Sequence, residues 1–196
     1  MTFAARTLSG GAGFTPVTVV KTGGSGTETV PAGATQVVIS ITGGGGAGGL
    51  GASTAAGGGG GGAGTAQKTI AVVGGNTFSY SIGGGGSGAE MPAPMNGFDG
   101  NPTTVTGTVS GGSVNMTANG GSGGKGNGLG GAGGTASGGD TNTSGTSGEA
   151  AEESIPGIGG TSAYGTGAGN GTSGASEVGD GFTSPGADGE ATFYYT

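Results

Sequence analysis

The chain has 196 residues, of which 59 are glycine, while charged residues make up only 8% and hydrophobic residues 30%. It contains neither histidine nor cysteine, which excludes imidazole general bases, thiol nucleophiles and soft metal ligands. The net charge is −7 and Lys125 is the last basic residue, so the acidic C-terminal third repels nucleic acid and anionic lipid. We therefore expect no enzyme activity, no cofactor, no bound metal and no nucleic-acid partner.

The first 16 residues precede any strand pattern. They lack the hydrophobic stretch of a signal peptide, and no apolar run in the chain is long enough to cross a bilayer. We expect a protein made in the cytoplasm without membrane insertion. Residues 1–16 are predicted to form an N-terminal attachment arm with Phe3, Leu8 and Phe14 as its anchoring side chains, followed by one glycine-rich domain over residues 17–196.

Strand patterns begin at residues 17–21 and 27–30, and a Pro31-Ala32-Gly33-Ala34 turn leads to a strand over 35–42. In that strand Val37, Ile39 and Ile41 share one face, which is the period of a half-buried strand. Strands are also predicted over 66–73 and 77–82, with Gly74-Gly75-Asn76 as a three-residue hairpin loop between them.

Weaker strand patterns follow at 103–106 and 113–118, and the chain closes on an aromatic strand over 190–195. The matching alternation predicts that inward side chains from these strands form one apolar core. The predicted members are Val37, Ile39, Ile41, Ile70, Val72, Phe78, Tyr80 and Phe193.

Glycine blocks separate the strands, and they carry an imperfect three-residue period, as at positions 43, 46 and 49. A collagen triple helix needs a strict repeat with abundant proline, and the seven prolines here have no register. The period favours polyproline-II-like segments packed side by side, because only glycine lets backbones approach closely enough to bond. Disorder of the segment 120–188 is the alternative.

Two interruptions of the glycine pattern are candidate binding sites. Residues 90–99 carry Met91, Met95 and Phe98 between turn-forming residues, which predicts a projecting loop. That loop either offers adaptable apolar contacts to a receptor or neighbouring subunit, or folds back over the core. Tyr164 is an isolated aromatic residue that either caps the bundle or stacks on a sugar.

Four stretches together resemble the glycine-rich domain of bacteriophage tail fibres and tail-tip adhesins. They are TVPAGATQVVISITGGGG at 29–46, QKTIAVVGGNTFSYSIGG at 67–84, NMTANGGSGG at 115–124 and PGADGEATFYY at 185–195. Their order and spacing are similar to that family's strands, turns and glycine runs. The resemblance implies a virion structural part, often an adhesin, whose strands anchor glycine helices and whose loops face the host.

We therefore expect a mainly β fold, with a small antiparallel sheet or sandwich and packed polyglycine-II-like helices. The expected function is that of a bacteriophage tail-fibre or adhesin protein, located in the virion, that displays loops for host-surface binding or virion attachment. The expected partners are other virion proteins and a host-surface glycan or outer-membrane protein, in a homotrimer or bound to a larger fibre. The alternatives are a capsid or tail decoration protein and an ice-binding protein.

Overall fold

The structure is a computed structural model, and it describes residues 13–52, 55–90, 94–163, 169–175 and 182–196. These residues form strands, turns and irregular segments and contain no helix, so none of them belongs to a helix that could cross a membrane. In chain order the strands are β1 Val17–Lys21, β2 Ser25–Thr29, β3 Gln36–Thr42, β4 Thr65–Ala71, β5 Thr77–Ser81, β6 Thr103–Val109, β7 Gly112–Ala118, β8 Ala136–Ser137, β9 Thr141–Thr143 and β10 Glu190–Tyr195.

The strands form two antiparallel five-stranded sheets. The first has the order β1-β10-β3-β4-β9, and the second has the order β2-β5-β6-β7-β8. In the first sheet, Phe193 of β10 lies opposite Val19 on one side and Ile39 on the other. The aromatic strand predicted over 190–195 is therefore confirmed, and it lies in the middle of the first sheet between β1 and β3.

One apolar core lies between the two sheets. Phe78 of β5 and Phe193 of β10 belong to different sheets, and their ring centroids are 5.8 Å apart. The prediction of a shared core is confirmed, since seven of the eight predicted side chains are buried in this cluster and Tyr80 packs against it, partly buried. The mainly β fold follows directly from this alternation of apolar and polar residues.

The predicted hairpin between β4 and β5 is wrong. β4 pairs with β3 and β9, whereas β5 pairs with β2 and β6, so the turn at 74–76 carries the chain from one sheet to the other. The turn at 31–34 also crosses between the sheets, and the two crossings bond together through Val30 N–H to Asn76 O and Gly75 N–H to Val30 O, both at 2.9 Å. Strands that face each other across a core bury the same alternate residues as strands paired in one sheet, so their pattern does not distinguish the two arrangements.

The short edge strands β8 and β9 were not predicted, because they consist of two and three residues without apolar alternation. Asp140, which lies between them, accepts hydrogen bonds from Thr69 N–H at 2.8 Å and from Lys68 Nζ at 3.2 Å. The backbone hydrogen bond from Thr69 and then the one from Lys68 lower the pKa of the Asp140 carboxyl. These contacts fix the β8–β9 connection against the edge of β4.

The glycine-rich segments bond to one another with a three-residue repeat. Along residues 43–51, two sets of backbone N–H groups at every third residue each donate to one neighbouring segment, and consecutive residues donate to different segments. Gly43, Gly46 and Gly49 donate to the carbonyls of Gly64, Gly61 and Gly58, at 3.2, 2.9 and 2.9 Å. Gly44, Ala47 and Leu50 donate to the carbonyls of Asn101, Phe98 and Met95, at 2.9, 3.0 and 2.8 Å. Gly45 and Gly51 donate to a third set of acceptors, Ala187 and Ala175, at 2.8 and 2.9 Å.

The same repeat continues through the second half of the chain. Gly121 and Gly124 donate to Gly44 and Ala47, at 3.0 and 2.8 Å, and Gly145 and Gly148 donate to Gly134 and Gly131, both at 2.9 Å. The described residues between 120 and 188 are therefore hydrogen-bonded parts of the fold, in the bundle or, at β8 and β9, in the sheets. Disorder, the alternative for this segment, does not describe them.

Glycine is required where one segment faces another. A Cβ at Gly85 would overlap the carbonyl oxygen of Gly186, whereas a Cβ at Gly84 would meet only the Asp188 carboxylate, at 3.7 Å. A clash with backbone oxygen cannot be relieved by rotating a side chain. Ser87, three residues after Gly84, is exposed. The glycine period is thus imperfect because some positions of a segment do not face another backbone.

Candidate functional site

The sheets occupy one end of the glycine bundle, and chain turns form the opposite end, which we call the far end. Turns there are closed by hydrogen bonds from Gly128 N–H to Lys125 O at 3.0 Å and from Ile155 N–H to Glu152 O at 2.7 Å. Leu50, which is fully buried, bridges to both Met95 and Ala175 and so holds three segments together at this end.

Large apolar side chains are exposed at several places in the described part of the chain, including Val20 and Tyr194 on the sheets. Six on the glycine bundle are between 38% and 67% exposed, although side chains of this type are usually buried. They are Met95, Phe98, Leu129, Ile155, Ile158 and Phe182. A group of exposed apolar side chains on a rigid framework is typical of a contact surface for another molecule.

The structure brings two of the predicted binding residues together. Met95 and Phe98 line one open groove of about 580 Å³, and the Phe98 side chain is 54% exposed. Met91 and Tyr164 lie outside the described residues, so their predicted roles stay predictions. The backbones of Met95 and Phe98 bond to Leu50 and Ala47, so the described residues 94–99 lie along the bundle and do not form the projecting loop that was predicted. The Phe98 side chain is exposed and does not belong to the apolar core.

The predicted anchoring residues Phe3 and Leu8 also lie outside the described part of the chain. Phe14 is described, and it is partly buried against the core of the two sheets. Its ring lies over the turn at Gly33, where an added Cβ would be 3.4 Å from Phe14 Cδ2. Phe14 therefore has a packing role in the sandwich that the strand pattern did not indicate, and its role in attachment stays a prediction.

Three polar side chains line the same groove as Met95 and Phe98, and sequence reasoning did not select them: Asn96, Asp99 and Lys125. Asp99 Oδ1 accepts a hydrogen bond from Gly123 N–H at 2.7 Å, and Asn96 Oδ1 accepts one from Gly126 N–H at 3.1 Å. These bonds orient both side chains against the segment that carries Lys125. Their positions in the sequence could have indicated them. Asn96 and Asp99 lie on either side of Phe98, and Lys125 interrupts a glycine run.

A second groove, of about 450 Å³, lies beside Phe182 and the hydroxyls of Thr172 and Thr183. Both hydroxyls already donate and accept within the fold. Thr172 Oγ1 donates to Ser184 O at 2.7 Å and accepts from Gly48 N–H at 3.1 Å. Thr183 Oγ1 donates to Gly48 O at 2.8 Å and accepts from Ala89 N–H at 2.7 Å. This groove is therefore built mainly to hold its own segments together.

The charged cluster at the sheets is structural. Lys21 Nζ lies 3.0 Å from Glu28 Oε2, and the Tyr195 hydroxyl donates to Glu28 Oε1 at 3.3 Å. The hydrogen bond to Glu28 raises the pKa of the Lys21 ammonium, while burial and the nearby Glu28 carboxylate raise the pKa of Tyr195. Because Glu28 lies on β2 and its partners lie on β1 and β10, the cluster ties the two sheets together.

The chain matches a protein family over most of its length. No curated protein matches the chain by sequence. A family model described as a glycine-rich domain matches residues 18–196, which includes both sheets and the whole glycine bundle. A match over nearly the full length shows that the chain belongs to this glycine-rich domain family.

Proposed function

We propose that this chain is a bacteriophage virion structural protein of the tail-fibre or adhesin type, which displays loops for host-surface binding or virion attachment. The observation that carries the proposal is the arrangement of the molecule, in which a sandwich at one end supports a glycine bundle that exposes six large apolar side chains. The bundle holds the far end at a fixed distance from the sheets. Such a part works by rigid display and needs no catalysis.

The bundle segments, in this proposal, are polyglycine-II-like helices. Such a helix has three residues per turn and no internal hydrogen bonds, so its amides bond to neighbouring helices. The three-residue repeat of donors along 43–51, directed to three sets of acceptors, supports this assignment. So do the glycine positions at which a Cβ would overlap a neighbouring carbonyl, as at Gly45 and Gly121.

The partners we propose are other virion proteins and a molecule on the host surface, and the location is the virion after synthesis in the host cytoplasm. Only 30% of the residues are hydrophobic, so the core is small for a chain of this length. Contacts with copies of itself or with a larger fibre would add the missing stabilisation, and we propose a trimer or a fibre-bound subunit.

The experiment that tests this function is antibody labelling of virus particles. Particles released from cells that carry the gene are incubated with antibodies raised against the purified protein and viewed by electron microscopy. Label at the tail tip or fibres is the expected result. Label on the capsid would favour the alternative of a decoration protein over the adhesin. Unlabelled particles would overturn the proposed role in the virion. Thermal hysteresis of the purified protein would favour the ice-binding alternative instead.

A further inference from the structure

We propose that the groove formed by Met95, Asn96, Phe98, Asp99 and Lys125 binds a neutral hexopyranose unit of a host-surface saccharide. This inference rests on the proposed adhesin function, and it names the chemical class of its ligand. The groove volume of about 580 Å³ is within the range of small-molecule sites. Its lining combines an exposed aromatic ring with three polar side chains of different hydrogen-bonding character.

The polar groups suit the hydroxyls of a sugar. Asp99 uses Oδ1 to accept from Gly123 N–H, but an ionised carboxylate has further lone pairs that can accept from sugar hydroxyls. Asn96 Oδ1 accepts from Gly126 N–H, which leaves its NH₂ group as a donor. Lys125 makes no ion pair within the described ranges, so its ammonium supplies further donors. Acceptors and donors are therefore both present.

Phe98 supplies the apolar contact. Its side chain is 54% exposed, and the carbon-bound hydrogens on one face of a pyranose ring suit stacking on an aromatic ring. Met95, 38% exposed beside it, is a flexible apolar neighbour that fits irregular shapes. Both grooves have an exposed aromatic ring, but in the second one the Thr172 and Thr183 hydroxyls are already used within the fold. The first groove is distinguished by the polar side chains that can still bond to sugar hydroxyls.

The groove is held rigid by the backbone. Met95 N–H and O both bond to Leu50, at 2.8 Å each, and Phe98 bonds to Ser87 and Ala47, at 3.1 and 3.0 Å. Lys125 N–H donates to Leu129 O at 2.8 Å. A preorganised groove loses little conformational freedom when it binds a ligand, which favours a small ligand with few contacts.

Charge decides between neutral and acidic sugars. In the groove the negative charge of Asp99 is balanced by the positive charge of Lys125, so no excess positive charge attracts an acidic saccharide. The whole chain carries a net charge of −7, which repels acidic polysaccharides at long range. We therefore commit to a neutral hexose.

The test uses purified full-length protein and the free sugars glucose, galactose, mannose and glucuronic acid. Saturation-transfer NMR detects binding, and titration gives the dissociation constant. We expect at least one neutral hexose to bind. Phe98→Ala should weaken it by about tenfold or more, since loss of stacking on the order of 1.4 kcal/mol is a factor of ten. Phe98→Tyr keeps the ring and should retain binding.

Two further variants locate the site. Lys125→Ala should also weaken binding, whereas Leu129→Ala, which removes a 58% exposed side chain outside the groove lining, should not. Equal melting temperatures show that each variant is folded. Binding of glucuronic acid alone, no binding of any neutral hexose, or unchanged binding in Phe98→Ala would overturn the proposal. If the protein binds a sugar but the antibodies label no particle, the sugar site stands and the virion role is rejected. If the antibodies label particles but no sugar binds, the virion role stands and the sugar site is rejected.

Discussion

The Tyr195 hydroxyl donates a hydrogen bond to Glu28 Oε1 at 3.3 Å, and this contact joins the last strand of one sheet to an edge strand of the other. Glu28 also pairs with Lys21 at 3.0 Å. A carboxylate that is nearly buried is stable only when its oxygens are partnered, and here both oxygens have partners. The polar contact is therefore compatible with the apolar core beside it.

Tyr195→Phe tests this contact, and Tyr194→Phe is the matched control on the next residue. Tyr195 is buried, whereas Tyr194 is 42% exposed. We expect Tyr195→Phe to lower the free energy of unfolding by about 1.5–3 kcal/mol, the range for a hydrogen bond to a charged group. Tyr194→Phe should change it little. Urea unfolding measures both, and equal effects of the two substitutions would contradict the structural role of the bond.

The same residue gives a pH prediction. The pKa of Tyr195 is raised in the folded state, so its contribution to stability is present below the ordinary tyrosine pKa of about 10 and is lost as pH rises above it. Lys21, whose pKa is also raised, adds to the loss in the alkaline range. The stability of the protein should therefore fall above about pH 10. In Tyr195→Phe the fall should be smaller, and an identical pH profile would rule out this coupling.

Ile39→Asp tests the shared core. Ile39 is fully buried between Phe193 and Lys68 in the register of its sheet. Placing a carboxylate there should cost on the order of 4 kcal/mol, because the charge has no partner in the core. The control Val20→Asp alters a side chain that is 50% exposed and should cost little. Thermal melting distinguishes them, and an unchanged melting temperature for Ile39→Asp would refute a common core.

The bundle is tested by two adjacent glycines. Gly85→Ala should destabilise the protein by about 3 kcal/mol, because its Cβ overlaps the Gly186 carbonyl and the segments must separate. Gly84→Ala has room for its Cβ and should be nearly neutral or slightly stabilising. Denaturant unfolding compares the two. If both substitutions have the same effect, close backbone contact is not what requires glycine in these segments.

Assembly is tested by deleting residues 1–12. Phe14 is kept because it packs on the sandwich. If the N-terminal arm holds the subunits together, the full-length protein should be a trimer by light scattering, and the truncated protein should be a folded monomer. A full-length protein that is already a stable monomer would contradict self-assembly. If the truncated protein remains a trimer, the contact between subunits does not use the N-terminal arm, and the far end becomes the candidate for that contact.

The amino-acid pattern determined the strands that alternate. Val37, Ile39 and Ile41 on one strand, and Ala191, Phe193 and Tyr195 on another, are buried as their spacing requires, because alternate residues of a strand face the same side. The glycine period also indicated that glycine-rich segments pack side by side. Met95 and Phe98 were recognisable as binding candidates because large apolar residues stand there among turn-forming ones.

Only the tertiary structure decided how these elements meet. The turn at 74–76 crosses between sheets because Asn76 bonds to Val30, a contact across 46 positions of chain that no local pattern encodes. The groove is also decided by the tertiary structure. Asp99 is positioned in it by Gly123 N–H, and Lys125 lines it from a different glycine segment. Hydrogen bonds between backbones of nearly identical glycine segments carry no residue-specific signal, so their partners are set by the packing of the whole bundle.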